Sequence, residues 1–436
     1  MDGSVVALLG IALLLALILM RVSVGLSMLI AGAAGIALIR PQAVLAVIAG
    51  ETFTVSSRYT LIILPLFMLM GNLTVVSGMS RDLYLAANRW LGRVRGGLAA
   101  ATVIACAGFS ALSGSSLAAA LTMGRVALPE MRRFNYDTSL AAGAVAAGGT
   151  LGILIPPSAG LVFYGIMTEQ SISRLFMAGL LPGILLTAIF VLTIVIVVTL
   201  RPDRAPRGDR TTSTELAERG RRPTGAYWIL GLAAVTLGGI YAGVFSALEA
   251  SGVGAFLTLL VALARRSLTR KTFAECLLST LRACGTVFLI LIGAYVFKVF
   301  LGYTQTPLAL AAWIGEQGWS GPQVVAVVLA MFIVLGTILD AFAILVLTIP
   351  LVQPILTSLG VDMIWFGVML VITLEMGLIS PPVGLNTFVV KTVAPDIPMR
   401  SIFRGIIPFW FAMLALLVLL AFVPGLVTFL PQAMFG

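Results

Sequence analysis

Apolar runs, separated by short stretches bearing Arg or Pro and Gly, fill most of the chain. Ser4 to Met20 and Val22 to Ile39 flank Arg21 and predict two spans joined by a tight turn. Asp2 stands where a cleaved signal would place basic residues. Pro41 to Ser57, broken by Pro and Gly and carrying Glu51 before Arg58, predicts an interfacial segment, and Tyr59 to Ser77 a third span. Arg81 to Arg95 interleaves Leu83, Leu85, Trp90, Leu91 and Val94 with basic residues, which predicts an interfacial helix with snorkelling Arg side chains. Gly97 to Ala127 is apolar around a Ser110-to-Ser116 cluster; Thr138 to Thr168 is interrupted by Gly148-Gly149 and Pro156-Pro157; Leu175 to Leu200 is unbroken. Arg201 to Arg222 is plainly aqueous. Spans then follow at Tyr227 to Gly243, Phe245 to Ala264 and Phe273 to Tyr303, with a short connector at Pro307 to Trp319. The last runs are Gln323 to Leu356, interrupted between Gly336 and Asp340, Ile364 to Val390, broken at Ser380-Pro381-Pro382, and Ile402 to Leu430.

An internal repeat organises these runs. Sliding the sequence by 225 positions lays Pro129 on Pro354, Asp137 on Asp362, Gly152 on Gly377 and Pro156-Pro157 on Pro381-Pro382 without a gap. One further residue brings Pro182 onto Pro408, and the Ser113-to-Ser116 cluster falls opposite Leu339 to Phe342. Matched helix breakers in the two halves are a mark of transporters.

Composition narrows the chemistry. Hydrophobic residues make up 60% of the chain and charged residues 10%, with a mean hydropathy of +1.11, which excludes a water-soluble globule. At about 20 residues per span there is room for about ten to twelve crossings. With no histidine, His-ligated metal, Ser-His-Asp hydrolysis and His proton relays are excluded within the chain. Cys106, Cys276 and Cys284 lie in apolar sequence without CxxC spacing and read as packing residues. Asp340 and Glu375 have no evident nucleophile or metal-ligand partners, so the chain is not read as an enzyme.

Charge sets the topology. Treating 97–130 and 321–356 as re-entrant hairpins leaves about ten full crossings. With the N-terminus outside, all 27 basic residues but Arg40, Arg58, Arg174, Arg282 and Lys298 then lie on the cytoplasmic side. The net charge of +10 is thus a positive-inside signal and not a nucleic-acid footprint. An odd number of crossings between the hairpins makes the repeats inverted, places both termini in the periplasm and puts the 201–226 loop in the cytoplasm. The expected fold is an all-α polytopic membrane protein whose repeats each carry a hairpin and a Pro-Pro-broken helix.

The breaks locate a site. A double proline removes two N–H donors and frees carbonyls, which membrane depth tolerates only within protein or beside water. Two tips and two broken helices are expected to meet near the midplane. Carbonyls and hydroxyls there suit a hard cation such as Na⁺, while helix N-termini and polar donors suit an anion. The Na⁺ candidates are Ser113, Gly114, Ser115, Gly149, Thr150, Gly336, Thr337, Asp340, Glu375 and Gly377. The substrate candidates are Ser116, Gly152, Pro156, Pro157, Ser380, Pro381, Asn386 and Thr387. Asp340 and Glu375 each cost roughly 3 kcal/mol or more at membrane depth, a cost that points to function or to a role holding the broken backbone open. Lys298 is expected to snorkel or to pair with an acid.

The strings GGTLGILIPPSAGLVFYGIMTEQSISRLFMAGLLPG (148–183), LGTILDAFAILVLTIPLVQPI and EMGLISPPVGLNTFVV resemble the large membrane subunit of tripartite ATP-independent periplasmic (TRAP) transporters, of DctM type, over essentially the whole chain. The resemblance implies a bacterial inner-membrane secondary transporter fed by a periplasmic solute-binding protein of DctP type. It also implies a small four-helix membrane subunit of DctQ type, Na⁺ coupling, and elevator movement of the hairpin-bearing part against a scaffold. No four-helix region precedes Ser4, so the small subunit is expected as a separate chain. The implied cargo is a small organic anion, a carboxylate or sialic-acid-like. A stand-alone Na⁺:dicarboxylate symporter of related hairpin architecture is the alternative. The expected division is scaffold at 1–95 and 227–320, and transport repeats at 96–200 (hairpin 97–130, broken helix 138–168) and 321–436 (hairpin 321–356, broken helix 361–391).

Overall fold

The computed structural model describes residues 3–92, 94–206 and 224–435, and every regular element among them is helical. The aqueous-loop expectation over 207–223, like Arg93, lies outside the described residues.

The chain opens with α1 (Gly3–Leu19) and α2 (Val24–Ile39), reversing at Arg21 with φ of 65°. There follow α3 (Val44–Ser57), α4 (Ile63–Val76) and the amphipathic arm α5 (Met79–Leu91). The first hairpin is α6 (Gly97–Ser113) and α7 (Ser116–Arg133); the first broken helix is α8 (Thr138–Leu154) and α9 (Ala159–Thr168); α10 (Ile172–Leu200) ends the half. The second half runs α11 (Thr224–Tyr241), α12 (Ala247–Ala264), α13 (Arg270–Tyr303) and α14 (Thr306–Glu316). Its hairpin is α15 (Gly321–Gly336) and α16 (Ala341–Ser358), its broken helix α17 (Met363–Leu378) and α18 (Leu385–Val393), and it closes with α19 (Met399–Phe422) and α20 (Gly425–Phe435). The 225-residue offset recurs in the element bounds: Ser116 and Arg133 of α7 become Ala341 and Ser358 of α16. Among the described residues 8 helices are long and apolar enough to cross a membrane, and shorter apolar helices such as α1, α2, α6, α15 and α17 accompany them.

Three segments differ from the sequence pattern. Pro41 to Ser57 is helical through Gly50 after a short 3₁₀ turn at its proline, and the connector at Pro307 to Trp319 is mostly the helix α14, with Pro307 in its first turn, where a missing N–H costs nothing. The terminal run Ile402 to Leu430 divides at Val423, because Pro424 disfavours helical backbone at the residue before it.

Burial separates centre from periphery. Over an 18-residue apolar stretch of each, 94% of the residues in the broken helix Thr138–Thr168 are buried and only 28% in Ile172–Leu200, so α10 turns much of its apolar surface to the bilayer while α8 is enclosed. Its Ala- and Gly-rich sequence explains why α8 can sit among α6, α7 and α19: a Cβ on Gly143 would stand 2.3 Å from the Gly405 carbonyl oxygen, a backbone approach that only small residues allow. Elsewhere α2 packs on α13 and α12 on α4. The arm α5 lies between α11 and α6, with Asp82 in its first turn accepting from the Gly225 N–H at 3.0 Å and from Arg265 Nη2 at 2.8 Å. Trp90 of the arm faces outward, 87% exposed, as an interfacial helix requires. The three cysteines are buried and free. Exposed Lys298 places its ammonium over the Tyr295 ring and makes no ion pair among the described residues.

Candidate functional site

Each hairpin tip seats against the broken helix of its own half. In the first, α6 ends at Ser113, Gly114 turns the chain with φ +59°, and Ser115 caps α7 by accepting the Ala118 N–H. A Cβ at Gly114 would stand 2.6 Å from the Pro157 carbonyl oxygen, and the Gly114 carbonyl accepts the Ala159 N–H at 3.2 Å. Gly152 is pressed against the other side of the tip, where a Cβ would lie 2.5 Å from the Ser115 carbonyl oxygen. Ser158 begins α9, accepting from the Leu161 N–H and donating to the Ile153 carbonyl left free by the break.

The second tip repeats the plan with different chemistry. Gly336 and Gly377 bring α15 and α17 into backbone contact, a Cβ on Gly377 lying 2.6 Å from the Gly336 Cα. Asp340 takes the place of Ser115 as N-cap, one repeat length on, and accepts the Phe342 and Ala343 N–H groups at 2.9 and 3.1 Å. Thr337 donates to the Val334 carbonyl and its own carbonyl accepts the Gly384 N–H. Both matched proline pairs, Pro156-Pro157 and Pro381-Pro382, are joined by cis peptide bonds. Pro156 and Pro157 are buried, whereas Pro381 and Pro382 are exposed, and a cavity of about 530 Å³ lined by Thr337, Ser380, Pro381 and Trp410 opens at the second break.

The halves meet at Glu375. It stands 225 positions after Thr150, whose hydroxyl is satisfied by the Ala147 carbonyl at 2.6 Å. The Glu375 carboxylate is 1% exposed and accepts a single bond, from Asn386 Nδ2 at 3.3 Å. The Ser116 hydroxyl of the first tip lies near enough to interact with it but closes no hydrogen bond. Five buried oxygens of the first hairpin and the second broken helix have no partner, Ser113 Oγ, Ser116 Oγ, Glu375 Oε1, Asn386 Oδ1 and Thr387 Oγ1, and of these Ser116 and Asn386 neighbour Glu375. The helix α18 packs directly on α7. Buried polar atoms are nearly always paired, and an ionised carboxylate with one long hydrogen bond is costly. An all-oxygen set with one acid able to ionise fits a hard monovalent cation or a polar ligand. No cluster of three or more His, Cys, Asp or Glu exists among the described residues, so the set does not suit a tightly held transition metal.

The sequence candidates thus divide. Ser113, Ser116, Glu375, Asn386 and Thr387 supply the unpartnered oxygens; Gly114, Ser115, Gly149 and Gly152 build the first tip and its seat; Gly336, Thr337, Asp340 and Gly377 do so at the second. Ser380 is already partnered, donating to the Met376 carbonyl and accepting from Trp410 Nε1 at 2.9 Å. Trp410 and Ser158 were not marked by the sequence pattern. Trp410 sits in an apolar run with nothing to distinguish it, while Ser158, directly after the first proline pair, carried a readable N-cap signal.

The comparisons agree with this architecture. The family model for the tripartite ATP-independent periplasmic transporter, DctM component, matches residues 11–426. The C4-dicarboxylate TRAP transporter large permease protein DctM of Pseudomonas aeruginosa is 36% identical over 94% of this chain and 94% of its own length. The isethionate TRAP transporter permease protein DctMQ of Oleidesulfovibrio alaskensis is 29% identical over 88% of this chain but 60% of its own length. Among solved structures, the YdaH transporter of Alcanivorax borkumensis superposes with a TM-score of 0.61 at 16% identity, covering 87% of each chain, a likeness of fold alone. With its many apolar helices, the chain is a multi-pass membrane protein, and it belongs to the DctM family of TRAP transporter large permeases, transporters rather than enzymes.

Proposed function

We propose that the protein carries a small organic anion inward across the bacterial inner membrane, coupled to Na⁺, on delivery by a periplasmic solute-binding protein of DctP type. The observation that carries this reading is the set of five buried, unpartnered oxygens at Ser113, Ser116, Glu375, Asn386 and Thr387. A cation bound there would offset the Glu375 charge. The charge left by Na⁺, together with the N-terminal N–H groups of α7 and α18, would favour an anionic cargo beside it. Na⁺ is read as held by the first tip and Glu375, with a second locus at Gly336, Thr337, Asp340 and Gly377. The cargo is read as lying along Ser116, Gly152, the proline pairs, Ser380, Asn386 and Thr387. The name of the Pseudomonas relative makes a C4-dicarboxylate the first cargo to test.

The repeats are read as inverted, with both termini periplasmic, the 201–226 loop cytoplasmic and about ten full crossings. The hairpins and broken helices would move as one body against α2, α4, α12 and α13. A DctQ-type small subunit is the second partner. It is proposed as a separate chain, although the relative named DctMQ extends well beyond its match to this protein.

The test is uptake of labelled C4-dicarboxylate into proteoliposomes holding the permease and small subunit. Uptake is expected to require both an inward Na⁺ gradient and the loaded binding protein. Uptake indifferent to the gradient would remove Na⁺ coupling; uptake without the binding protein would establish a stand-alone symporter instead.

A further inference from the structure

Beyond the transport site, α10 and α19 frame a pocket of about 310 Å³ whose lining includes Arg201, Arg204 and Arg404 beside Leu200, Ile407 and Pro408. Three arginines line this one small pocket, Arg201 and Arg404 exposed and Arg204 half-buried, and none forms an ion pair or side-chain hydrogen bond with any described residue. Asp203, in the same turn, does not neutralise them. Like charges brought close together repel, a cost that water or a bound anion relieves.

Local structure fixes the backbone that carries these arginines. The Arg201 N–H closes α10 onto the Val197 carbonyl, and the Arg204 carbonyl accepts the Asp137 N–H at 2.9 Å, tying the Pro202–Arg204 turn to the start of α8. Arg404 lies one turn before Pro408, which cannot donate to the Arg404 carbonyl. Next to the charges the surface is apolar and open: Leu200 is 77% exposed, and Ile196, Ile407 and Phe411 are also exposed. Phosphate accepts forked hydrogen bonds from Arg, and basic pockets between membrane helices near the bilayer surface suit lipid headgroups.

We propose that this pocket binds the phosphate of an anionic phospholipid, with its acyl chains lying along Leu200, Ile407 and Phe411. A soluble phosphate would find the charges but gain nothing from the apolar flank. The proposal does not depend on the transported cargo, on Na⁺, or on which face of the membrane this end occupies.

Native mass spectrometry of the purified full chain, titrated with phosphatidylglycerol or phosphatidylcholine, tests it. Phosphatidylglycerol is expected to bind preferentially and to resist a large excess of inorganic phosphate. Arg404→Gln is expected to weaken it by about fivefold and the combined Arg201→Gln, Arg204→Gln and Arg404→Gln by about 100-fold, leaving phosphatidylcholine unchanged. Equal binding of the two lipids, an unaffected triple variant, or displacement by inorganic phosphate would overturn the proposal, the last by identifying a soluble anion as the occupant. If the triple variant does not fold, a photoreactive side chain at Ile407 in the otherwise unchanged protein gives the answer. Adducts with phosphatidylglycerol in excess over phosphatidylcholine from an equimolar mixture are expected, and equal yields would count against the site.

Discussion

Glu375 concentrates the chemistry of the site, since it is a buried carboxylate with one weak internal partner and one oxygen without any. Glu375→Gln preserves its size and can still accept from Asn386, but it removes the charge. If the residue faces a cation, the Na⁺ concentration for half-maximal uptake should rise about tenfold or more, equivalent to ~1.4 kcal/mol of lost attraction, with expression unchanged. An unaltered Na⁺ response would reduce Glu375 to a brace for the broken backbone. Gly114 is a different case, because its constraint is steric. Its φ of +59° and the 2.6 Å approach of a Cβ to the Pro157 carbonyl oxygen mean that Gly114→Ala should destabilise the purified protein by roughly 1–3 kcal/mol. A thermal melt in the absence of any ligand reads this directly.

At the scale of elements, the two tips differ in what caps their second helix: the Ser115 hydroxyl on α7 and the Asp340 carboxylate on α16. Asp340→Ala removes the acceptor for the Phe342 and Ala343 N–H groups and should cost about 1 kcal/mol of stability. Asp340→Asn keeps the cap and removes the charge. Comparing Na⁺-dependent uptake in the two separates capping from coordination: loss in both assigns a role to the charge, loss in the Ala variant alone assigns only the cap. These breaks were legible in the sequence because proline pairs and glycines act locally, and the offset from Asp137 to Asp362 marks two N-caps that do cap helices. The repeat alignment was less exact at the tips, since Asp340 pairs structurally with Ser115 and not with the Gly114 implied by the cluster alignment. What stayed hidden depends on tertiary proximity. Nothing in the spacing shows that Ser380 accepts from Trp410 Nε1, or that Glu375 meets Ser116 of the other half.

At the scale of the whole molecule, the halves are also tied at an exposed rim, where Arg132 at the end of α7 donates to Asp396 Oδ1 at 2.9 Å, just beyond α18. This hydrogen bond holds the Asp396 carboxyl below its ordinary range. Because the folded value lies below the unfolded one, the pair's contribution is fully present above about pH 4 and is lost as pH falls through the folded value. Asp396→Asn should therefore lower the melting temperature slightly at pH 7, the pair being exposed and screened, and the difference should vanish near the acid limit. A difference that grew on acidification would contradict the assignment. The Arg132–Asp396 rim and the Arg201–Arg204 turn belong to the arginine-rich end of the molecule, since the Arg204 carbonyl holds the Asp137 N–H a few residues past Arg132. If the repeats are inverted, the mouth of the second hairpin must lie on the other side of the bilayer. Cysteines placed at exposed Asp203 and exposed Gly318 then label with a membrane-impermeant reagent from opposite faces, against a quiet background from the three buried native thiols. Labelling from one face would make the two hairpins open to the same side, and with that the pseudo-two-fold relation between the halves would have to be given up.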